Sequence, residues 1–184
     1  MISLSRTINR SPQADDVTPH SEPLQKDGFD QKNTGHGMLN AGRFTNRWGV
    51  AGRHILMKLL SKLPGTRFKS RLISRLLGVT MGENVGIAYA VMFDPYDPSM
   101  ISIGDNVIIG TETRIFVHTF MLNRQRVRPV TIGSNVQIGA FCVIAPGVTI
   151  GDGVSIAPCT LVSRSIPPGA IVTGNQMNIT RRPS

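Results

Sequence analysis

The chain of 184 residues has room for one domain, and its 19 glycines and 5% aromatic share suit tight backbone corners better than a thick globular core. Its formal net charge is +9, from 20 basic and 11 acidic side chains. No apolar run reaches the roughly 18 residues that a membrane-spanning helix needs, and the N-terminus lacks the apolar core of a signal peptide, so we expect a cytoplasmic location.

Residues 1–35 predict a disordered leader. They carry four basic and five acidic side chains, are rich in Pro, Ser, Thr, Asn and Gln, and contain few aromatics. Such a composition cannot bury enough apolar surface to offset the entropy that is lost when a chain is ordered. The net charge of this range is −1, so the positive charge of the protein lies elsewhere.

The positive charge is concentrated in residues 36–78, the basic segment, which holds nine basic side chains and no acidic one. Apolar residues recur there at helical spacing. They predict one short amphipathic helix over about residues 50–63 and a second over about residues 68–77, each ended by a Gly or Pro-Gly stop. The protein therefore carries its charge on two helices that precede the rest of the fold.

Two interpretations of these basic helices are compatible with each other. They cap the open end of a stacked β-structure, whose exposed strands would otherwise pair with another chain. They also have the composition of an anchor that lies peripherally on an anionic membrane, which for a cytoplasmic protein is the inner face. Nucleic-acid binding is disfavoured, because the basic residues are not interleaved with exposed aromatics and no recognised motif accompanies them.

The strongest pattern is a series of branched apolar residues six positions apart, and its members are Ile132, Ile138, Ile144, Ile150, Ile156 and Val162. A period of six fits neither a half-buried strand nor an amphipathic helix. A fixed period indicates a repeat architecture, in which each unit buries its apolar side against its neighbours. Three six-residue sides make a triangular coil of 18 residues, so we predict an all-β solenoid over 79–175, with a C-terminal tail at 176–184.

The same period continues upstream but breaks twice. Phe93 and Ile103 are ten residues apart, which is four more than the period. Ile115 and Ile132 are 17 apart, which reads as one residue short of a whole coil. Loops on repeat proteins leave the coil at particular corners, and function tends to lie there. We therefore expect the residues that act on substrates near these two breaks.

Four stretches together resemble a known family. They are residues 129–133, 145–152, 162–169 and the closing Gly174-Asn175. From about residue 76 to residue 175 the chain is similar to the hexapeptide-repeat acyltransferases, which include maltose, galactoside, serine and virginiamycin-type O-acetyltransferases. The resemblance implies a left-handed parallel β-helix, acetyl-CoA as the acyl donor, and a homotrimer.

His118 is the only histidine within the repeat. Transfer of an acetyl group from a thioester to an alcohol needs a base for the hydroxyl proton, and imidazole, with an ordinary pKa of about 6.5, suits that role. The resemblance implies that His118 is this general base in a ternary complex. The plainer interpretation is a histidine packed at a coil corner. The carboxylate that would orient the ring stays open between Asp94, Asp97 and Glu112.

The resemblance also implies how the donor binds. Coenzyme A would lie in a groove between neighbouring subunits, with contacts from Gly139, Ala145 and Ala157, and with Arg164 near its phosphates. Gly and Ala are also what a tight coil corner requires, so these three small residues have a structural interpretation as well. The acyl group is expected to be acetyl, and a longer acyl chain is the alternative that the sequence leaves open.

The acceptor is expected to be a hydroxyl of a saccharide or a related small molecule. The loops at the two breaks of the period supply its predicted contacts, which are Asp94, Asp97, Arg124 and Arg126. The basic residues of the second loop would suit an anionic or phosphate-bearing acceptor. Loops of this kind vary freely on one scaffold, so the pattern does not identify the acceptor itself.

A non-catalytic interpretation stands beside the enzyme. It is a trimeric β-helix scaffold that presents the basic segment to a membrane or a protein partner, and it predicts no coenzyme A binding and no effect of replacing His118. A zinc enzyme of the same fold is excluded, because it needs three histidines around the metal and the repeat has one. We expect no metal and no nucleic acid among the ligands.

Overall fold

The computed structural model describes residues 29–32, 46–64, 67–122 and 124–174, with backbone alone for the first range. Most of this chain forms a left-handed parallel β-helix, as predicted. The strands, in chain order, are β1 (Phe29–Lys32), β2 (Thr80–Met81), β3 (Gly86–Ile87), β4 (Met92–Phe93), β5 (Ile101–Ile103), β6 (Ile108–Ile109), β7 (Arg114–Ile115), β8 (His118–Phe120), β9 (Arg124–Val127), β10 (Val130–Ile132), β11 (Gln137–Ile138), β12 (Val143–Ile144), β13 (Thr149–Ile150), β14 (Ser155–Ile156), β15 (Leu161–Val162) and β16 (Ile171–Val172).

Each side of the coil is a parallel sheet. The three sheets join β2-β5-β10-β13, β3-β6-β11-β14-β16 and β4-β7-β12-β15. The predicted stacking is confirmed, since Ile132 pairs with Ile150 and Ile138 pairs with Ile156. These four side chains are at most 2% exposed. One branched residue from each side thus fills the interior, and its restricted side chain suits the extended backbone.

Asparagines stack at the corner that follows the first sheet. Asn84, Asn106 and Asn135 adopt φ angles of 56°, 54° and 58°, a left-handed region that asparagine tolerates better than most residues. The amide of Asn84 donates to Asn106 Oδ1 over 2.8 Å, and that of Asn106 donates to Asn135 Oδ1 over 3.3 Å. This ladder explains why Gly-x-Asn-Val recurs at this position in three coils.

Two insertions leave the coil at one corner, where the third sheet turns into the first. Residues 94–100 follow β4, and residues 116–129 follow β7 and form the antiparallel hairpin β8–β9. The second break is an insertion into a six-residue step, because Ile115 ends one side of the coil and Ile132 ends the next strand of the following coil. Its interpretation as one residue short of a whole coil is therefore wrong.

Two helices cover the N-terminal end of the coil, as expected of a cap. The first, α1 (Arg47–Ser61), begins three residues and ends two residues earlier than predicted, and the side chain of Asn46 caps its start. The second, α2 (Arg67–Leu77), lies where the spacing predicted it. Met57 and Ile73 are fully buried in the same apolar cluster as the coil residues. Within the described ranges, no helix combines the length and apolarity needed to cross a membrane.

A buried lysine joins the cap to the coil. Lys69 on α2 is 0% exposed, and its Nζ donates to the carbonyl oxygen of Ser61 over 3.0 Å and to that of Ala88 over 2.8 Å. Ser61 ends α1, where a positive charge is favoured by the unpaired carbonyls of the last turn. Burial lowers the pKa of Lys69, because a charged ammonium is less stable away from water.

One strand precedes the helices and lies outside the coil. β1 pairs antiparallel with β9, with Asp30 opposite Arg126. The prediction of disorder over 1–35 is wrong for these four residues, because the outer edge of the β8–β9 hairpin offers backbone partners that composition alone does not reveal. The rest of that leader and the tail predicted at 176–184 lie outside the described residues.

Candidate active site

His118 and Asp94 meet at the corner where the two insertions leave the coil. Asp94 directly follows Phe93 at the end of β4, and His118 lies three residues after Ile115 at the end of β7. Phe93 and Ile115 are paired across the third sheet, so the two insertions begin on adjacent strands about 4.8 Å apart. The stacking of the repeat therefore brings together two residues that are 24 positions apart.

Asp94 holds His118 through its carboxylate. Its Oδ2 accepts a hydrogen bond from His118 Nδ1 over 2.5 Å, and further bonds from the backbone amides of Val117 and His118 over 2.8 and 3.1 Å. Its Oδ1 accepts from the amide of Tyr96 over 2.8 Å. The side chain of Asp94 is 0% exposed. Of the three carboxylates that the sequence left open, Asp94 is the one that orients the ring.

This contact sets the chemistry of the imidazole. An ionised carboxylate can only accept, so the proton of the neutral ring is on Nδ1 and the lone pair is on Nε2. A histidine oriented in this way can take a proton from a bound hydroxyl. Its side chain is 15% exposed, so the ring is within reach of a ligand. No group of three or more side chains suited to a metal ion occurs in the described part of the chain.

Three aromatic rings surround the imidazole. The ring centroids of Tyr96, Phe120 and Phe116 lie 4.1, 5.0 and 6.3 Å from that of His118. Tyr96 comes from the first insertion and contacts Phe120 of the second, with centroids 5.3 Å apart. These walls keep water from most of the ring, and the lower dielectric strengthens its hydrogen bond to Asp94.

An arginine on the cap fixes the first insertion. Arg53 Nε donates to the carbonyl oxygen of Pro95, and Arg53 Nη2 donates to that of Tyr96, each over 2.8 Å. Hydrogen bonds from a guanidinium are among the stronger ones in proteins. The contact ties α1 to the residues directly after Asp94. The basic segment was expected to act as a cap or an anchor, and its spacing carried no signal for this contact.

The strand β9 presents two different faces. Gln125 and Val127 are buried on the face that carries His118, which lies opposite Val127 in the hairpin. Arg124 and Arg126, which were predicted to contact the acceptor, alternate with them and are partly exposed on the other face. Among the described residues, the buried Oε1 of Gln125 has no hydrogen-bond partner. An amide oxygen left in that state is costly, and sequence reasoning missed it.

The three carboxylates that the sequence singled out differ in position and in contacts. Asp94, which was also predicted to contact the acceptor, is fully buried, and its carboxylate accepts hydrogen bonds from Tyr96, Val117 and His118. Asp97 directly precedes a single turn of 3₁₀ helix (Pro98–Met100), and its Oδ1 accepts from Ser99 Oγ over 2.5 Å. Glu112 lies at a different corner, two residues before the start of β7, with a left-handed φ of 56°. The role of Asp97 as an acceptor contact stays a prediction.

The predicted donor contacts lie on two corners. Gly139 and Ala157 follow β11 and β14, so they stack at the corner between the second and third sheets. Ala145 follows β12 and Arg164 comes shortly after β15, on the corner that carries His118. Arg164 is exposed and lines an open cavity of about 640 Å³ at the last coil. One copy of the chain thus brings only Ala145 and Arg164 to the His118 side.

Comparison with known proteins agrees with the repeat pattern. Residues 129–164 match the bacterial transferase hexapeptide family of six repeats. The chain is 38% identical over 130 residues to YvoF of Bacillus subtilis, to which acetyltransferase activity is ascribed. That match covers 71% of this chain and 76% of YvoF. The chain belongs to the hexapeptide-repeat acetyltransferases.

Two other proteins extend the likeness to this family. Galactoside O-acetyltransferase of Escherichia coli is 37% identical over 92 residues, which are 46% of this chain and 45% of that protein. The hexapeptide-repeat acetyltransferase VCA0836 of Vibrio cholerae has a TM-score of 0.56 at 23% identity, over 80% of this chain and 94% of its own. Its complex with acetyl-CoA has a TM-score of 0.51 at 21% identity, over 72% and 86%. At such identities the structural likeness shows a shared fold.

Proposed function

We propose that this protein moves the acetyl group of acetyl-CoA to a hydroxyl of a saccharide or related small acceptor, with His118 as the general base. The observation that carries this proposal is the hydrogen bond of 2.5 Å between His118 Nδ1 and the buried Asp94. A histidine that merely fills a corner does not need a buried carboxylate, whose removal from water is costly. A base that must hold one orientation does need such a partner.

The reaction follows from the orientation of the ring. Nε2 of His118 takes the proton of the acceptor hydroxyl while the hydroxyl oxygen attacks the carbonyl carbon of the thioester. Asp94 stabilises the imidazolium that forms. The tetrahedral intermediate then collapses, the bond between carbon and sulfur breaks, and Nε2 returns the proton to the departing thiolate. No acetyl-enzyme forms, so donor and acceptor are bound at the same time.

The donor lies between two copies of the chain in this proposal. Ala145 and Arg164 are on the His118 corner, whereas Gly139 and Ala157 are on another, so the four do not line one groove of a single copy. A neighbouring copy that turns its Gly139 corner toward His118 would complete the set, as the homotrimer of the family implies. The complex of VCA0836 with acetyl-CoA supports this donor on this fold. A backbone amide would stabilise the oxyanion.

Two observations support a saccharide as the acceptor. Galactoside O-acetyltransferase, at 37% identity over 92 residues, is named for a sugar acceptor. Beside His118, the rings of Tyr96 and Phe120 offer apolar faces on which the C–H side of a sugar ring can pack. Asp97, Arg124 and the partly exposed Arg126 stay candidates for the outer part of the acceptor site.

Thiol release from acetyl-CoA in the presence of a panel of saccharides tests the proposal. His118→Ala should lower kcat about 100- to 10,000-fold, because no other described histidine lies at this corner. The matched control is His54→Ala, which removes the same side chain from α1 and should leave turnover near that of the wild type. A thermal shift with acetyl-CoA should be retained in His118→Ala, since His118 is not among the predicted donor contacts.

Two outcomes would contradict the proposal in different ways. Full turnover in His118→Ala would show that another group takes the proton. No thiol release together with no thermal shift would favour the trimeric scaffold. A ligand present at 100 times its dissociation constant adds about 2.7 kcal/mol to the stability of the native state, so real binding would be seen in the melting temperature.

A further inference from the structure

The outward side of α1 carries large apolar side chains. Trp48, Ile55 and Leu59 are 86%, 61% and 65% exposed. At 3.6 residues per turn, positions 48, 55 and 59 lie on one stripe of the helix. The inward side is apolar as well, since Met57 and Leu60 are 0% and 5% exposed within the core cluster. A helix that is apolar on both sides is typical of one that is covered on both sides.

The surroundings of this stripe are basic. Lys62 continues the stripe, Lys58 lies beside it, and both side chains are exposed. On α2, Arg71 and Arg75 are exposed, and the ring of Phe68 is 68% exposed. The basic segment that contains both helices has nine basic side chains and no acidic one. Apolar exposure and positive charge thus occur together on the cap, while the rest of the chain is nearly neutral.

We propose that the outer face of α1, which comprises Trp48, Ile55, Lys58, Leu59 and Lys62, docks on the surface of an anionic lipid bilayer. The positive charge of this face favours an anionic bilayer over a second copy of the chain as its partner. A second copy of this face would bring like charges together along with the apolar side chains. Anionic headgroups meet the cations while the acyl chains receive the apolar side chains. The helix lies in the plane of the interface, with the indole of Trp48 at the depth of the headgroups.

The proposal makes two separable demands on the lipid. Attraction between lysines and headgroups is screened by salt, so binding must weaken as ionic strength rises. Insertion of the apolar stripe must contribute independently of charge, because burial of apolar surface does not depend on the headgroup. A merely cationic surface would meet the first demand and fail the second.

Co-sedimentation of the full chain with vesicles tests both demands, using phosphatidylcholine alone and phosphatidylcholine mixed with phosphatidylglycerol. We expect binding to the mixed vesicles and little to the neutral ones. Ile55→Ser/Leu59→Ser should weaken that binding about tenfold or more, because two apolar side chains leave the interface. The matched control is Ile108→Ser/Leu161→Ser, which changes side chains that are 59% and 66% exposed on the coil and should bind like the wild type.

Several outcomes would overturn the proposal. Absence of binding to the mixed vesicles, equal binding to both kinds, or an equal loss in the control variant would each do so. If Ile55→Ser/Leu59→Ser changes the sedimentation coefficient without lipid and leaves vesicle binding intact, the face contacts a second copy instead. Thiol release with a water-soluble acceptor should be the same in this variant and the wild type, so the result is independent of the proposed acetyl transfer.

Discussion

The interior of the coil and the corner that carries His118 are held together in different ways. In the interior, Ile115, Ile144 and Val162 stack in one column, each at most 3% exposed, and each offers only apolar surface. At the corner, Asp94 accepts four hydrogen bonds, and Arg53 donates two to the carbonyls that follow it. A column tolerates other branched residues of similar volume, whereas the corner depends on individual polar atoms.

The difference shows how a repeat protein separates its scaffold from its chemistry. Each coil repeats the contacts of the one before it, so no single interior residue defines a site. The two insertions interrupt that repetition on adjacent strands, and there the buried carboxylate of Asp94 meets the side chain of His118 from the next coil. A substitution at the corner should therefore change turnover more than stability, and a substitution in the column should do the reverse.

Asp94→Asn should have the largest effect of the substitutions that test this difference. The amide has the size of the carboxylate, but it no longer fixes Nδ1–H of His118 and cannot stabilise the imidazolium. We expect kcat to fall about 100- to 10,000-fold, with the KM for acetyl-CoA nearly unchanged. Steady-state thiol release gives both constants, and a near-normal melting temperature shows that the protein is folded.

Asp97→Asn is the matched control for that substitution. It makes the same change three residues later, at a side chain whose oxygen accepts from Ser99 within the first insertion. We expect kcat at saturating acceptor within about threefold of the wild type. If Asp97 contacts the outer part of the acceptor, the KM for the acceptor rises instead, because such a contact acts on binding more than on proton transfer. Equal losses in the two variants would mean that the loop conformation, and not the carboxylate of Asp94, supports turnover.

Ile144→Ala tests the apolar interior of the coil, the other of the two compared regions. Ile144 is 0% exposed and lies between Ile115 and Val162 in its column. Removal of its branched side chain should lower the free energy of unfolding by about 2–5 kcal/mol, because the coil can collapse only in part around the cavity. Urea unfolding measures the loss, and kcat per folded molecule should change little.

Leu161→Ala is the control for Ile144→Ala. Leu161 lies on β15, which pairs with β12, and its side chain faces away from the interior of the coil. Leu161 is 66% exposed, so the same type of truncation should change the free energy of unfolding by no more than about 0.5 kcal/mol. A cost at Leu161 as large as that at Ile144 would contradict this expectation.

The coil could be predicted from the sequence because one buried apolar residue in every six positions determines each side of the coil. The six-residue period alone yields the pairing of Ile138 with Ile156, and the small residues fit the same geometry. Gly139 shows this directly, since a Cβ there would clash with the backbone of Pro158 in the next coil. A tight approach between coils explains that glycine without any ligand.

The polar network at the corner could be predicted only in part. The breaks in the period located it, and His118 was recognisable as the sole histidine of the repeat. The choice of Asp94 required the pairing of Phe93 with Ile115, which the six-residue period yields once the four extra residues of the first break are read as an insertion. The bonds of Arg53 to the first insertion depend on how α1 packs on the coil, and no local pattern encodes that packing.

Lys69, like Asp94, is a single polar side chain that joins two parts of the molecule, here the cap and the coil. Its Nζ bonds to Ser61 at the end of α1 and to Ala88 on the first coil, in full burial. The cap is therefore fixed to the coil by a cation whose charged form is disfavoured there. Its effect on stability should depend on pH.

The sign of that dependence follows from the direction of the shift. Burial lowers the pKa of Lys69 from its ordinary 10.5, so in the alkaline range below 10.5 the unfolded chain holds a proton that the folded chain has released. Stability rises with pH wherever the unfolded state binds more protons. The difference in the free energy of unfolding between the wild type and Lys69→Met should therefore shift in favour of the wild type as pH rises toward 10.5. Urea unfolding of both proteins at a series of alkaline pH values measures it. A difference that stays flat would show that the ammonium keeps its ordinary affinity for the proton, and a falling one would show that the two carbonyls outweigh its burial.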